Sequence, residues 1–140
     1  MIRKDQPLGI CDALSALVTS KELKDRTKRF AVAIVGLCRE LPPTLDGRRI
    51  GQQLLDSGTS VAANYRAACR ARSRAEFIAK LGTVLEESDE SLFWLELMVD
   101  TKLVTHERAE RLLREADQLT AIFTTSVKTA KAGNDVRFQK

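Results

Sequence analysis

Four arginines fall within nine consecutive positions, and they are the residues of this sequence best suited to chemistry with an anion. The cluster comprises Arg66, Arg70, Arg72 and Arg74. Such side chains can neutralise phosphates without reading base edges. The sequence around them offers no row of aromatic residues for base stacking, and no helix-turn-helix or zinc-finger spacing. The four arginines are therefore candidate contacts for RNA or DNA, bound weakly and without sequence specificity.

The same arginines also have a purely structural interpretation. Cations near the end of a helix interact favourably with the negative end of its dipole. Residues 1–74 carry 14 Lys and Arg against 7 Asp and Glu, whereas residues 75–132 carry 7 against 11, including the acidic run Glu86–Glu90. Unlike charges of this kind can pair within or between subunits. The alternative hypothesis is a protein–protein scaffold that binds no nucleic acid and uses its arginines for such ion pairs.

No group of residues has the types and spacing that catalysis or metal binding requires. His106 is the single histidine, and its neighbour Glu107 is not followed by the second histidine of a zinc-protease motif. The acidic run could attract a hard cation, but successive residues of a helix point in different directions. We therefore predict a protein that is not an enzyme and has no catalytic residue, metal site or cofactor.

Cysteine usage and hydropathy indicate the cellular compartment. Cys11, Cys38 and Cys69 are widely spaced and odd in number, which favours buried thiols over a disulfide framework or a metal site. The longest apolar stretch, residues 10–18, is too short to cross a bilayer and is interrupted by Asp12. We predict a cytoplasmic protein with no membrane partner.

The composition favours long helices, because alanine, leucine and charged residues are frequent while only 3 of the 140 residues are proline. Four segments repeat apolar residues at steps of three and four, and short connections between long helices force neighbours to be antiparallel. The sequence therefore predicts an all-α, antiparallel up-down-up-down four-helix bundle over residues 20–132. Residues 1–19 are predicted to be an N-terminal extension, flexible or forming a short helix, and residues 133–140 a flexible tail.

Capping residues and prolines set the predicted ends of the helices. The bounds are about Ser20 to Leu41 for the first helix, a start between Asp46 and Arg48 for the second, Ser73 to about Leu103 for the third, and Thr105 to Gly133 for the fourth. The predicted core residues are Leu23, Thr27, Phe30, Ile34, Leu37, Leu41, Ile50, Leu54, Ser57, Gly58, Val61, Tyr65, Ala68, Phe77, Leu81, Val84, Leu85, Ser88, Leu92, Leu95, Val99, Leu112, Ala116, Leu119, Phe123, Val127 and Ala130. Small residues around Gly58 would let a neighbouring helix approach closely.

Two of the helices carry apolar residues on a second side. Val32 and Val35 point away from the core face of the first helix, and Phe93, Trp94 and Leu97 lie on the far side of the third. A lone bundle offers one interior, so these five residues are candidates for an interface between copies of the chain. The alternative is that residues 1–19 fold over this surface.

Two stretches carry a resemblance to a known family. The first runs SGTSVAANYR from Ser57 to Arg66 and continues through Arg70-Ala71-Arg72-Ser73 and Glu76-Phe77, and the second is EESDESLFWLEL from Glu86 to Leu97. Over about residues 22–128 the sequence resembles the four helix bundle protein family, also called the 23S rRNA intervening-sequence or S23 protein family. Many relatives have Asn-Ile-Ala-Glu-Gly where this chain has residues 64–68, NYRAA, so any role of that glutamate is not carried over.

The resemblance implies properties beyond those read from the residues. Members form bundles that assemble into homopentamers, and most have no established activity. A related protein, the accessory variability determinant of diversity-generating retroelements, is a basic pentamer that binds nucleic acid and a reverse transcriptase. The resemblance thus adds a pentamer as the assembly, and a reverse transcriptase or another protein as a candidate partner.

Overall fold

A computed structural model of the protein describes residues 19–133. They form four α-helices with no β-strand among them: α1 (Ser20–Arg39), α2 (Leu45–Ala68), α3 (Arg74–Asp100) and α4 (His106–Lys131). The all-helical fold is consistent with a four-helix bundle. Apart from Thr19 and Gly133, the predicted N-terminal extension (1–19) and C-terminal tail (133–140) lie outside the described residues.

Each helix begins with a hydroxyl side chain that accepts a hydrogen bond from the first turn. Thr19, not Ser20, caps α1, and its partner Glu22 completes the capping box by accepting from the Thr19 backbone N–H. The prediction was wrong by one residue, because both residues have hydroxyls and only the backbone decides between them. Thr44, Ser73 and Thr105 cap the other helices.

The end of α3 differs from the prediction, which extended the helix to Leu103. Thr101 is the C-cap, and Lys102 takes the left-handed conformation at a φ of 61°. The Leu103 N–H donates to the Met98 carbonyl at 2.9 Å, and the Lys102 N–H donates to the Val99 carbonyl at 3.0 Å. This is a Schellman motif, in which glycine usually occupies the left-handed position. With lysine there instead, the sequence gives no sign of the stop.

Buried residues alternate at steps of four and three along α1 and α3, the spacing typical of a left-handed coil of helices. The predicted stripe of α1 is confirmed from Leu23 to Ile34 and Leu37, while Leu41 is half-buried beyond the helix end. In α3 the buried positions include Ser91 and Met98, which the prediction missed. Besides Leu41, the predicted core residues that are only half-buried are Ile50, Leu85, Leu92, Val99 and Val127.

The α1 and α2 helices approach closely, as the small residues of α2 predicted. A Cβ atom added to Gly58 would lie 2.9 Å from two carbon atoms of the buried Ile34 side chain. On its other side α2 contacts α3 through Ser57, whose hydroxyl accepts from the Ser91 hydroxyl at 3.1 Å. Glycine and serine thus allow α2 to lie against both neighbours.

The α1 and α4 helices, by contrast, make few close backbone approaches, although α4 packs extensively on α3. Two polar contacts bridge the gap. Near the start of α1, the Arg26 guanidinium donates to the Glu115 carboxylate at 2.6 and 3.1 Å and to the Gln118 side chain at 2.6 Å. At the other end, Arg108 pairs with Glu40, just after α1. Between these contacts lies an open cleft.

Candidate functional site

A basic cleft of about 770 Å³ lies between α1 and α2. Lys21, Lys24 and Lys28 come from α1 at steps of three and four, which places them on one side of that helix. Arg66, in the last turn of α2, and Arg70, in the turn that follows the helix, line the opposite wall. A single carboxylate, that of Asp25, lies among these five cations. The two helices therefore concentrate positive charge along their shared groove, here named the basic cleft.

All five cationic side chains of the basic cleft are exposed. Within the part of the chain that the structure describes, none of them forms an ion pair, whereas Arg26 and Arg108 do. Exposed, unpaired ammonium and guanidinium groups keep their hydrogen-bond donors free for an anion. The basic cleft has the electrostatics of a phosphate-binding surface.

The floor of the basic cleft is made of small side chains. Thr59, Ala62, Ala63 and Cys69 complete its lining, and no aromatic residue is among the described lining residues. Bases stack on aromatic rings in most proteins that read single strands. The basic cleft can therefore contact a sugar–phosphate backbone, but it offers no platform for bases.

The structure brings together two of the four arginines predicted to contact nucleic acid. Arg66 and Arg70 line the basic cleft, whereas Arg72 is exposed in the connection between α2 and α3 and is not part of the lining. The Arg74 guanidinium is engaged elsewhere, since it donates to the Ala130 carbonyl at 2.9 and 2.8 Å and to the Lys131 carbonyl at 2.7 Å. It satisfies carbonyls at the end of α4 that have no partner within the helix.

Sequence reasoning missed the three lysines of the basic cleft. Their spacing on α1 was visible, but nothing local shows that this side of α1 meets the end of α2.

The five residues predicted to form an interface between copies lie on two surfaces, and their role stays a prediction. Val32 on α1 is 65% exposed and Phe93 on α3 is 52% exposed, while Val35, Trp94 and Leu97 are half-buried.

The aromatic pair on α3 is partly fixed within the chain. Trp94 packs against the core cluster, its indole N–H donates to Glu90 Oε1 at 3.2 Å, and its ring meets Phe93 edge-on at a centroid distance of 4.9 Å. Nearby, burial, followed by the charges of Glu90, Glu86 and Asp56, raises the pKa of the Glu87 carboxyl. This side of the molecule is acidic as well as apolar.

A second cleft, of about 660 Å³, lies between α1 and α4, and we name it the α1–α4 cleft. Phe30 and Leu112 are the buried residues of its floor, and Ala33 and Gly36 form its α1 wall. A Cβ atom added to Gly36 would meet nothing within 4 Å. Unlike the basic cleft, this one offers apolar surface with arginines along its edges.

The cysteines and acidic residues are the side chains that could support metal or redox chemistry. Cys38 and Cys69 are free thiols. Both were predicted to be buried, and both are half-buried. The third cysteine, Cys11, lies outside the described residues. Burial raises the pKa of the Cys38 thiol to about 11, so it is protonated at neutral pH. Among residues 19–133, no group of three or more His, Cys, Asp or Glu side chains could hold a metal ion.

None of the helices in that range is long and apolar enough to span a membrane.

Comparison with known proteins identifies the family. The model of the 23S rRNA-intervening sequence protein family matches residues 20–125. A crystal structure of a protein of unknown function from the S23 ribosomal protein family of Bacteroides thetaiotaomicron is 35% identical, with a TM-score of 0.69, and the match covers 79% of this chain and 98% of that one. No curated protein matches the chain. The chain belongs to the 23S rRNA-intervening sequence protein family.

Proposed function

We propose that this protein is a non-enzymatic, self-associating helical adaptor whose basic cleft binds RNA or DNA weakly and without sequence specificity. One observation carries the proposal: five exposed cations line one groove against a single carboxylate, and none of them is paired within residues 19–133. Uncompensated charge in a cleft attracts a polyanion and releases its counterions on binding.

The dimensions of the basic cleft suit a nucleic-acid backbone. Lys21 and Lys28 are seven residues apart on α1, which corresponds to about 10 Å along the helix. That length matches the rise of about 3 nucleotides of one strand. Because the lining has small side chains and no aromatic residue, we expect contacts to phosphates and sugars only, which is the reason for proposing binding without sequence specificity.

The proposal includes an antiparallel up-down-up-down bundle that assembles into a homopentamer. The antiparallel arrangement is supported by Glu40, at the end of α1, pairing with Arg108 at the start of α4, and by Arg74, at the start of α3, binding the last carbonyls of α4. Self-association is supported by the exposure of Val32 and Phe93, and the pentamer by the family resemblance. A cytoplasmic location stays a prediction.

A salt series with matched variants tests nucleic-acid binding. The double variant Lys24→Ala/Arg66→Ala removes two cations from the basic cleft, and Arg49→Ala/Arg114→Ala removes two exposed cations that line none of the described clefts. Binding to an RNA duplex and a DNA duplex is measured by fluorescence anisotropy. The first variant should reduce the slope of log affinity against log salt by about 2, roughly 1 for each lost phosphate contact, and the second should leave it unchanged. No binding at low salt, or equal losses in both variants, overturns the proposal.

The scaffold hypothesis remains the second candidate, and one observation favours it. Neither Arg66 nor Arg70 pairs with a carboxylate of Glu86–Glu90 within the described chain, so both sets of charges are available to an adjacent subunit. If the scaffold hypothesis is right, Arg66→Glu/Arg70→Glu lowers the assembled mass on a sizing column and wild-type protein binds no duplex. A reverse transcriptase or another protein stays a candidate partner under either hypothesis.

A further inference from the structure

The α1–α4 cleft has the shape of a seat for a helix. Its α1 wall is low, because Ala33 and Gly36 are small, and its floor is closed by the buried side chains of Phe30 and Leu112. Glycine within a helix costs about 1 kcal/mol relative to alanine, and no described neighbour comes close enough to require it at Gly36. At Gly58, by contrast, a side chain of α1 fills the space. Gly36 therefore leaves room for a side chain that the same subunit does not supply.

The edges of the α1–α4 cleft carry unpaired positive charge. Arg29 on α1 and Arg111 on α4 line it, both are exposed, and neither forms an ion pair within residues 19–133. The other two arginines of the lining, Arg26 and Arg108, are held by carboxylates. One carboxylate that is unpaired within the described chain, that of Glu107, also lines the cleft, so the two unpaired arginines leave a net positive edge. The complement of this cleft is an apolar stripe with carboxylates beside it.

The outer face of α3 presents such a stripe. Glu86, Glu90, Phe93 and Leu97 follow one another at steps of four and three and so share one side of the helix. Phe93 is the most exposed large apolar residue of α3, at 52%. Neither glutamate forms an ion pair with a described cation. This stripe cannot reach the α1–α4 cleft of its own subunit, because it points away from the core.

The spacing along the two elements also matches. Arg29 and Gly36 are seven residues apart on α1, and Glu86 and Phe93 are seven residues apart on α3, about 10 Å in each case. In addition, α1 and α3 run in the same direction, since α1 ends beside the start of α4 and α3 starts beside its end. If two copies have the same orientation, a placement that brings Glu86 to Arg29 also brings the Phe93 ring to Gly36.

We propose that the outer face of α3 in one copy docks into the α1–α4 cleft of a second copy, with Phe93 over Ala33 and Gly36, and with Glu86 and Glu90 beside Arg29 and Arg111. The inference rests on the proposed self-association and names the two surfaces that carry it. Each copy uses a different surface on each side, so the contact is heterologous and generates a ring if the rotation closes.

A matched pair of variants at Gly36 tests the docking. Gly36→Phe places a ring in the α1–α4 cleft, where the Cβ atom meets no atom of its own subunit within 4 Å, so we expect the bundle to fold. Its mass by light scattering should fall to that of one protomer, whereas Gly36→Ala keeps the assembled mass. Phe93→Asp should dissociate the assembly in the same way. Circular dichroism checks that all three variants are folded.

Disulfide cross-linking identifies the paired surfaces directly. With Cys11, Cys38 and Cys69 replaced by serine, Gly36→Cys and Phe93→Cys proteins are oxidised separately and as a mixture. Cross-linked dimers should form in the mixture and be absent from either protein alone. A wild-type monomer would refute the proposed self-association itself, whereas an assembly that survives Gly36→Phe, or Phe93→Cys cross-linking to itself, refutes only the docking.

Discussion

The two sides of α1 differ in how glycine is used. Toward α2, Gly58 allows the Ile34 side chain to lie against the backbone of the neighbouring helix. Toward α4, Gly36 faces open space, and the two helices are bridged by side chains at each end. Gly58 thus lies in close contact with a side chain of the neighbouring helix, whereas Gly36 has no described neighbour within reach of an added Cβ atom. The difference separates two surfaces of one helix, a basic one beside α2 and an apolar one beside α4.

The largest effect on stability is expected where α1 and α2 are in close contact. Gly58→Val places a branched side chain against Ile34, which is fully buried and has no room to withdraw. Overpacking of this kind should lower the free energy of unfolding by about 3 kcal/mol, measured by urea denaturation. Unchanged stability would show that α1 and α2 are not in close contact, and the comparison would fail.

The next largest effect on stability is expected for the ion pair between Arg26 on α1 and Glu115 on α4. The Arg26 and Glu115 side chains are only 19% and 28% exposed, and Arg26 also donates to Gln118. Arg26→Ala should therefore cost about 1.5 kcal/mol. Arg108→Ala is the matched control, because its ion pair with Glu40 is about half exposed, is screened by solvent and should contribute much less. Equal losses in thermal unfolding would contradict the ranking.

The open side should tolerate an added methyl group. Gly36→Ala relieves the cost of glycine in a helix and meets no neighbouring atom, so the free energy of unfolding should rise by about 0.5–1 kcal/mol. Urea denaturation under the conditions used for Gly58→Val makes the two glycines directly comparable. A loss of stability would mean that α4 closes over Gly36 in solution.

The smallest expected effect is a pH dependence at the exposed bridge. The hydrogen bond from Arg108 lowers the pKa of the Glu40 carboxyl. The stabilisation is therefore complete above the ordinary glutamate pKa of about 4.3 and is lost as pH falls through the lower folded-state value. The Tm difference between wild type and Glu40→Gln should shrink from pH 7 to pH 3, and 1 M salt should suppress it. A difference that persists at pH 3 would exclude this ion pair as its cause.

Much of the fold could be predicted from the sequence, because the helices are long and their apolar spacing is regular. The α1 stripe and the close approach at Gly58 followed from residue types alone. The end of α3 could not, since Lys102 takes a conformation usually given to glycine. The site was harder to predict, because Lys24 and Arg66 meet only through the packing of α1 on α2. The contact of Arg74 with α4 likewise spans more than 50 residues.

The loose attachment of α1 to α4 has a consequence for how the molecule opens. Helices α2, α3 and α4 pack on one another in sequence, but α1 is secured mainly along α2. Cooperative units with fewer buried contacts unfold at lower free energy than the rest of a domain. We expect the backbone amides of α1 to exchange with deuterium before those of α3, and a detached α1 to be the segment that neighbouring copies could swap.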